Sequence, residues 1–379
     1  AMVLLIVLTS CAMALYTNRP FALAPGLGSV GIVASMISNE GISAPIAAGV
    51  IFWSGVLFIL ISFLGLREAV VRVIPVSMKH AVSAGIGLFI ALLGAKNCGL
   101  IVANADKNNL AFGDLTSPSV IVAVIGFIIL LIIKVRNVPG GMILAILAAT
   151  VVGIPFGVTK LPESLFSLPA NIGKQFLQVD FLGALNFAYI PFLIALFVPD
   201  FFSTFGTVLG VGAKAGYLDE DGNLPDIDKC FKVDAVATRF GALFTMPSMT
   251  TYLESSAGVE AGGKTGLTVV FTSIFFALSL FLAPFALIIP SAATGPVLIF
   301  IGINMLSGMR NVNYSDITEY VPAFICVTFT IFANNIANGI CVALPAYLIM
   351  KIAAGKIREI QPVMYVLVAV CLLYFYTIV

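Results

Sequence analysis

The stretch from Met246 to Gly263 reads MPSMTTYLESSAGVEAGG and carries most of the information about the fold. It mixes Pro, Gly and Ser with apolar residues, and it is too short and too broken to cross a membrane as one helix. A second stretch of the same kind, Phe21 to Ile37, contains ALAPGLGSVG. We refer to these two stretches as the broken segments, and together they predict irregular backbone at membrane depth, which is tolerated where it lines a cavity.

The rest of the chain is strongly apolar. Of its 379 residues, 60% are hydrophobic and 10% are charged, whereas an ordinary soluble domain is about 25% charged. So few charges cannot cover a soluble protein of this length, and 19 Lys and Arg against 18 Asp and Glu form no basic stripe. A soluble enzyme, a disordered chain and a nucleic-acid binder are therefore excluded. Long apolar runs also favour helices over a β-barrel, which shows alternating polarity.

The rare residue types limit the chemistry further. His80 is the single histidine, so a His-based metal site or a catalytic triad is out of reach. None of the six cysteines forms a C-x-x-C pair, and most lie in apolar stretches, as buried inert thiols do. No nucleophile–base set of an intramembrane enzyme is recognisable. We therefore predict that the protein is not an enzyme and that it holds no metal or cofactor.

Runs of about 20 apolar residues predict membrane-spanning helices. The first run starts at residue 1 without a basic region before it, so we interpret it as a membrane helix and not as a signal peptide, with a preceding segment apparently missing. The predicted spans are 1–17, 42–64, 80–101, 117–135, 139–156, 186–212, 231–246, 264–289, 292–309, 316–333, 336–354 and 361–379.

Counting the broken segments divides the chain into two halves. If one helix is missing before residue 1, each half has seven segments, and an odd number makes the halves inverted relative to each other. The broken segments then occupy corresponding places, which is the sequence pattern of a transporter site at the membrane midplane. We predict an all-α polytopic membrane protein with a first repeat at 1–156, an extracellular connection at 157–185, a second repeat at 186–354 and an extra apolar segment at 355–379.

The placement of charges predicts the orientation. If the loop around Arg67, Arg72 and Lys79 is cytoplasmic, 15 of the 19 Lys and Arg fall on that side. This distribution obeys the positive-inside rule and predicts a multi-pass protein of the cell membrane, surrounded by lipid. The loop 214–239 falls on the same side and is rich in acids, so we interpret it as a solvated cytoplasmic connection.

Two acidic residues lie at membrane depth. Glu254 is in the second broken segment, and Asp200 follows Pro199 within the span 186–212. A charged side chain at the bilayer centre costs about 2.5–3.5 kcal/mol and usually faces a cavity. A carboxylate that is held by backbone amides for structural reasons is the alternative. The functional interpretation is a substrate or proton site.

The neighbours of Glu254 fit a binding site. Thr250, Thr251 and Ser255 supply hydroxyls, and glycines such as Gly26 in the first broken segment allow close approach of the backbone. An interrupted helix leaves N–H groups from which a polar ligand can accept hydrogen bonds. Helix packing is the alternative explanation for each glycine.

Four stretches of the sequence closely resemble the AzgA-like purine permeases of the xanthine/uracil permease superfamily of nucleobase–cation symporters. They are FALAPGLG (21–28), AGIGLFIALLGAKNCGLIVAN (84–104), FGTVLGVGAKAGYLDEDGNLP (205–225) and TTYLESSAGVEAGGKTGLT (250–268). The resemblance implies two inverted seven-segment repeats that form a core domain and a gate domain, with two short strands crossing at the substrate site. It also implies proton-coupled uptake of adenine, guanine or hypoxanthine.

The same resemblance implies the site residues. Glu254 matches the glutamate of the family's TTY-[IL]-ES motif, which resembles the purine-binding acid. The family's FVDLFDT-x-GT motif keeps its first acid as Asp200, but its second acid is Ser203 here, and the asparagine of APGMGLNA is Val30. We predict substrate contacts from Glu254, Asp200, Ser203, Thr251, Leu253, Ser255 and Gly26, and proton coupling through Glu254 and then Asp200.

The favoured function is a secondary transporter that takes up a purine nucleobase together with a proton, and a homodimer is one option for its assembly. Asp200 lies three residues before Ser203, so on a helix it is expected to compensate partly for the lost acid. With Val30, the change predicts weaker purine binding or a less polar heterocycle. The alternative is an uncoupled channel or a transport-dead scaffold that keeps the fold. An anion exchanger would need a basic residue in the broken segments, and neither has one.

Overall fold

The computed structural model describes residues 2–38, 40–63, 73–104, 109–138, 140–161, 176–220, 222–282, 284, 287–333 and 335–378. Arg67, Arg72, Lys107 and Lys174, on which part of the predicted orientation depends, lie outside the described residues, as do residues 162–175 of the connection predicted at 157–185.

The described chain is mainly helical, as its long apolar runs predict. The two broken segments become short strands that are each followed by a helix, since Pro25 and Pro247 interrupt the backbone hydrogen bonding that a continuous helix needs. The elements are α1 Met2–Thr17, β1 Leu23–Pro25, α2 Leu27–Ser38, α3 Ala44–Phe63, α4 Val76–Asn97, β2 Ile101–Asn104, β3 Asn109–Phe112, α5 Pro118–Val135, α6 Gly141–Val152, α7 Ile190–Ala215, α8 Ile227–Leu243, β4 Met249–Thr251, α9 Ser255–Glu260, α10 Gly266–Ser279, α11 Ser291–Met305, α12 Ile317–Phe332, α13 Ile336–Ala353 and α14 Pro362–Ile378.

The two short strands of the broken segments pair with each other. β1 and β4 are antiparallel, with Ala24 opposite Thr250. Neighbouring helices hold them: the Ser10 hydroxyl of α1 accepts a hydrogen bond from the Leu23 amide at 2.9 Å, and Thr238 of α8 donates to the Met249 carbonyl at 2.8 Å. These side chains satisfy backbone groups that a three-residue ladder leaves open at membrane depth, where water is absent.

The helices form two bundles that meet along α7. The strand-bearing bundle contains α1, α2, α3, α7, α8, α9 and α10 with β1 and β4, and the second bundle contains α4, α5, α6 and α11 to α14. Helix α7 packs against α4, α13 and α14 of the second bundle. The extra apolar segment at the C-terminal end therefore takes part in the contact between the bundles through α7. Within the second bundle, Tyr374 of α14 donates to Asn338 of α13 at 2.8 Å.

Helices α4 and α11 cross at glycines. A Cβ added at Gly302 would lie 2.3 Å from the Gly87 carbonyl oxygen, and one added at Gly295 would lie 2.7 Å from the Gly94 carbonyl oxygen. The two contacts are seven residues apart on each helix and run in opposite directions, so the helices are antiparallel over two turns. Small residues at such crossings let helix backbones approach closely in membranes.

Three local predictions were wrong. The span 231–246 and the loop 214–239 overlap a single helix, α8, whose Asp228, Lys229, Lys232, Asp234 and Arg239 keep it out of the group of apolar helices. Lys79 is not in a loop but in the first turn of α4, and the residue is 4% exposed. Its ammonium donates to the side-chain oxygen of Asn223. Composition alone does not distinguish a charged loop from an amphipathic helix such as α8. It also does not show that a lysine such as Lys79 is buried and hydrogen-bonded.

The hairpin of β2 and β3 was not predicted. Its strands pair with Ile101 opposite Phe112. The predicted span 80–101 ends at Ile101, the first residue of β2, because periodicity does not separate a short apolar strand from a helix end.

Six helical segments of the described chain are long and apolar enough to cross a membrane: Ala44–Ile61, Val76–Asn97, Pro118–Val135, Phe187–Ala215, Ser291–Asn311 and Ile336–Ala353. Shorter apolar helices stand at the other predicted spans, apart from 231–246. The predicted polytopic membrane protein is therefore confirmed in its class.

One end of the second bundle carries a cluster of ion pairs. Lys351 of α13 contacts Glu319 at 3.0 Å and Glu359 at 2.6 Å. Asp316 caps α12 by accepting from the Thr318 amide, and a hydrogen bond from Lys356 holds the pKa of the Asp316 carboxyl far below its usual range. These contacts fix the ends of α12 and α13 to each other.

Candidate substrate-binding site

A cavity of about 260 Å³ lies where the two bundles and the two short strands meet. Its volume is slightly below the range of about 300–1,000 Å³ that is common for drug-sized ligands, so it suits a small molecule. The described residues that line it are Pro25, Gly26, Ser29, Phe89, Leu93, Pro199, Asp200, Ser203, Ser248, Thr250, Thr251, Tyr252, Leu253, Glu254, Asn335 and Ile336.

Glu254 stands between β4 and α9 and lines this cavity. Its backbone is in a helical conformation, and its side chain makes no cap hydrogen bond to α9. No Lys or Arg of the described chain forms an ion pair with it, and the described cavity lining contains two carboxylates and no basic side chain. The carboxylate is thus available to accept hydrogen bonds from a ligand.

The turn that carries Glu254 also presents a hydrogen-bond donor. The amides of Ser255, Ser256 and Ala257 donate to carbonyls within the turn, whereas the Leu253 amide donates to no acceptor in the described part of the chain. The Glu254 amide lies beside the carboxylate of its own side chain. A carboxylate acceptor and the Leu253 N–H donor therefore belong to the same turn of the cavity wall.

Two hydroxyl side chains of the lining are also without partners. Thr251 and Ser248 are 1% and 2% exposed, and neither hydroxyl makes a hydrogen bond to a described residue. Buried polar groups are normally satisfied, so hydroxyls of this kind are candidates to bond a ligand.

Asp200 and Ser203 line the cavity from α7, as their spacing of three residues on a helix predicts. Asp200 is also tied to the scaffold: Thr238 of α8, which holds β4, lies with its hydroxyl 3.4 Å from the Asp200 carboxylate. Pro199 precedes Asp200 inside a continuous helix and not at its end. Asp200 therefore both faces the cavity and connects α7 to α8.

A second polar chain runs directly behind the cavity. The Thr204 hydroxyl of α7 donates to the Asp234 carboxylate of α8 at 2.8 Å and lies 2.8 Å from the Thr250 hydroxyl of β4. Thr204 and Asp234 are fully buried. The predicted solvated loop 214–239 includes Asp234, so this connection was not predicted. The apolar spacing of residues 227–243 was the signal for a helix that buries Asp234.

The remaining predicted residues divide into two groups. Gly26 lines the cavity, and a Cβ there would lie 2.9 Å from the Thr250 methyl group. Ser255 is not part of the lining, because its hydroxyl accepts from the Ala22 amide and fixes α9 to the start of β1. Val30 also lies away from the cavity and is 42% exposed, whereas the preceding Ser29 faces it. Adjacent helix positions are about 100° apart, so a polar group at position 30 points elsewhere.

Residues of the second bundle complete the cavity, and sequence analysis did not single them out. Phe89 and Leu93 come from α4, and Asn335 and Ile336 come from the start of α13. Asn335 caps α13 through its side-chain oxygen, which accepts from the Ala337 amide at 2.9 Å, so its side-chain nitrogen is left for other contacts. An asparagine between two apolar spans was the available signal.

The arrangement does not resemble a metal centre. In the described part of the chain no three His, Cys, Asp or Glu come together as ligands of a metal ion. Paired half-segments around a cavity at the meeting point of two helical bundles instead define a transporter of the inverted-repeat class.

Comparison with known proteins agrees with this class. Residues 2–342 match the Permease family (Xan_ur_permease), and the chain belongs to this family. It is 36% identical to the adenine permease AdeQ of Escherichia coli (strain K12), over 93% of this chain and 79% of AdeQ. It is 32% identical to the guanine/hypoxanthine permease GhxP of Escherichia coli O157:H7, over 97% of this chain and 83% of GhxP.

The fold is also similar to a solved structure. The transmembrane domain of the cyanobacterial bicarbonate transporter BicA matches with a TM-score of 0.56 and 14% sequence identity, covering 90% of this chain and 88% of that domain. The predicted fold of two inverted seven-segment repeats is confirmed. The protein is a multi-pass transporter of the cell membrane and not an enzyme.

Proposed function

We propose that the protein takes up a purine nucleobase together with a proton, and that the cavity at β1 and β4 is its substrate site. The observation that carries the proposal is the turn at Leu253 and Glu254, which lines a small cavity and combines a carboxylate without an ion-pair partner with the unpaired Leu253 amide donor. A neutral purine presents ring N–H groups and ring nitrogens on one edge, so its donors and acceptors complement this turn. The names of the relatives AdeQ and GhxP support the same substrate class.

The walls of the cavity suit a flat ring. Phe89 and Tyr252 line it from opposite bundles. Stacking of a base on an aromatic side chain contributes about 1–3 kcal/mol and tolerates different bases. Specificity would then come from the polar edge at Glu254 and from the hydroxyls of Ser203 and Thr251.

Proton coupling would use a carboxylate of the same cavity. Ionisable side chains inside membrane proteins commonly serve as proton relays, and a proton that moves inward gains about 2.3 kcal/mol per 100 mV. Glu254 is the first candidate because it would contact the substrate, and Asp200 is the second. A carboxylate that binds both proton and substrate couples the two movements directly.

The coupling is tested in proteoliposomes without sodium. An imposed pH gradient, acid outside, is expected to drive accumulation of adenine or hypoxanthine, and a protonophore is expected to reduce uptake to equilibration. Accumulation that ignores the collapsed gradient would contradict proton coupling. Rapid equilibration that never exceeds the external concentration would support the uncoupled channel.

A substitution at Ser203 tests the specificity of the site. Ser203→Asp is expected to tighten binding of hypoxanthine or adenine about fivefold, because a charged acceptor forms a stronger hydrogen bond than a hydroxyl. Val30→Asn serves as the control and is expected to change binding little, because residue 30 does not line the cavity. Dissociation constants of the purified variants measure both effects. If Ser203→Asp binds no better and Asp200→Asn binds like the parent, the site has diverged to another ligand.

A further inference from the structure

A second cavity, of about 450 Å³, lies along the same two helices as the first. Its walls come from α4, from the end of α7 and from α11 with the turn that follows it. Its lining includes Gly210, Lys214, Asp219, Asn304 and Met305. Ser203 in the first cavity and Gly210 in the second are seven residues apart on α7, which is about 10 Å at the rise of an α-helix.

Buried apolar side chains lie along α7 between the two cavities, and Ile86 is one of them. A Cβ at Gly206 of α7 would lie 3.1 Å from Ile86 Cδ1 and 3.1 Å from Ile336 Cγ2, and Ile336 lines the first cavity. A Cβ at Gly210 would lie 3.4 Å from the same Ile86 atom and 3.0 Å from Met305 Cε, and Met305 lines the second cavity. Ile86 is fully buried, and it packs against two glycine positions of α7 between the cavities.

The polar groups of the second cavity suit an uncharged ligand. The side-chain nitrogen of Asn304 is buried and has no hydrogen-bond partner in the described part of the chain. The one lysine of the lining, Lys214, already pairs with Glu260 at 2.5 Å, and Asp219 accepts a hydrogen bond from the Asn223 amide. The buried hydrogen-bond donor of this lining that has no partner is therefore a neutral amide, which suits a polar uncharged heterocycle.

We propose that the second cavity is a second and weaker binding site for the transported heterocycle, separated from the first by buried side chains that include Ile86, with Asn304 holding the ligand. The proposal rests on the proposed function, since it assigns the same substrate to both cavities. The substrate would occupy the second site after the side chains around Ile86 move apart. The neutral hydrogen bonds of the second site are weaker than hydrogen bonds to the Glu254 carboxylate. The substrate would therefore leave the second site more easily than the first.

The proposal is tested by equilibrium binding of radiolabelled adenine, and in parallel of hypoxanthine, to the purified protein. The parent is expected to bind two equivalents with distinct affinities. Glu254→Gln is expected to lose the tight equivalent and keep the weak one. Asn304→Leu is expected to weaken the weak equivalent about fivefold and leave the tight one unchanged. Asn304→Asp, which keeps the shape of the side chain and removes both N–H donors, is expected to do the same.

A matched control is Asn97→Leu, which replaces an exposed asparagine of α4 that lines neither cavity and should leave both equivalents unchanged. Saturation of the parent at one equivalent overturns the second site while the proposed function stands. Equal weakening of both equivalents by the two Asn304 variants, with melting temperatures like the parent's, also overturns it. If neither purine binds the parent at all, the proposed substrate class and the second site fail together.

Discussion

Glu254→Gln is expected to reduce binding of adenine and hypoxanthine by roughly a hundredfold or more and to abolish uptake. The substitution removes the charge and keeps one acceptor oxygen, while the second carboxylate oxygen becomes an amide nitrogen that can only donate. A ring N–H of the ligand that bonds this second oxygen would then face another N–H. A hydrogen bond to a charged group contributes about 1.5–3 kcal/mol, and a buried donor without an acceptor costs a further 1–3 kcal/mol or so. The measurements are the dissociation constant of the purified protein and the initial rate of uptake into proteoliposomes.

Glu260→Gln is the matched control for this prediction. Glu260 ends the same short helix, α9, but it lies outside the cavity lining and pairs with Lys134 and Lys214. Both variants remove one negative charge from α9 or its cap, so a loss of binding in the Glu254 variant alone points to direct contact. A Glu254→Gln protein that folds, binds and transports like the parent would place the substrate site elsewhere.

The position of the site could be predicted from sequence because the broken segments are a local signal. Pro, Gly and Ser between Phe21 and Ile37 and between Met246 and Gly263 prevent a continuous helix, and a charged Glu254 at membrane depth is costly enough to indicate a functional site. The pattern therefore predicted irregular backbone and the acid at the cavity, whereas the two short strands were implied by the resemblance to the purine permeases. It could not show that β1 and β4 pair with each other, because strand pairing depends on residues more than 220 positions apart.

The partners of the site were the least predictable part. Phe89 and Asn335 reach the cavity only because α4 and α13 pack against α7. Nothing in the local sequence marks Phe89, and the position of Asn335 between two apolar spans marks a polar residue without showing which cavity it lines. The same holds for Asp234, which is charged and lies beside an acid-rich loop, yet is buried against Thr204. A residue's charge predicts exposure only on average, and a buried carboxylate with hydrogen-bond partners is the exception that a single sequence does not reveal.

Val30 is a residue that the sequence singled out but that does not line the cavity. The resemblance to purine permeases drew attention to residue 30, but in this fold Ser29 faces the cavity and Val30 does not. A motif preserves residue order, whereas the direction of a side chain depends on where helix α2 begins. The hydroxyl of Ser29 donates to the Gly26 carbonyl at 2.8 Å, so it stabilises the turn between β1 and α2.

Gly87→Ala is expected to destabilise the protein by about 1–3 kcal/mol, the usual cost of adding a methyl group to a tightly packed interior. A Cβ at Gly87 would lie 2.6 Å from Met305 Cβ and 2.7 Å from the Gly302 carbonyl oxygen. Neither atom can move without displacing the backbone of α11. Helix α4 must then separate from α11, which also shifts Phe89 at the substrate cavity. Thermal melting of the purified protein and its binding of adenine measure the two effects.

Gly85→Ala is the control, since it makes the same change two residues away on α4. A Cβ at Gly85 would meet Thr330 and Val327 at 3.4 Å, which is ordinary van der Waals contact. Replacing Gly by Ala inside a helix gains about 1 kcal/mol of helix propensity, so the Gly85 variant is expected to melt at or above the temperature of the parent. The two alanines are thus expected to act with opposite sign. If they lower the melting temperature equally, the intrinsic flexibility of α4 matters, and close packing against α11 does not explain its glycines.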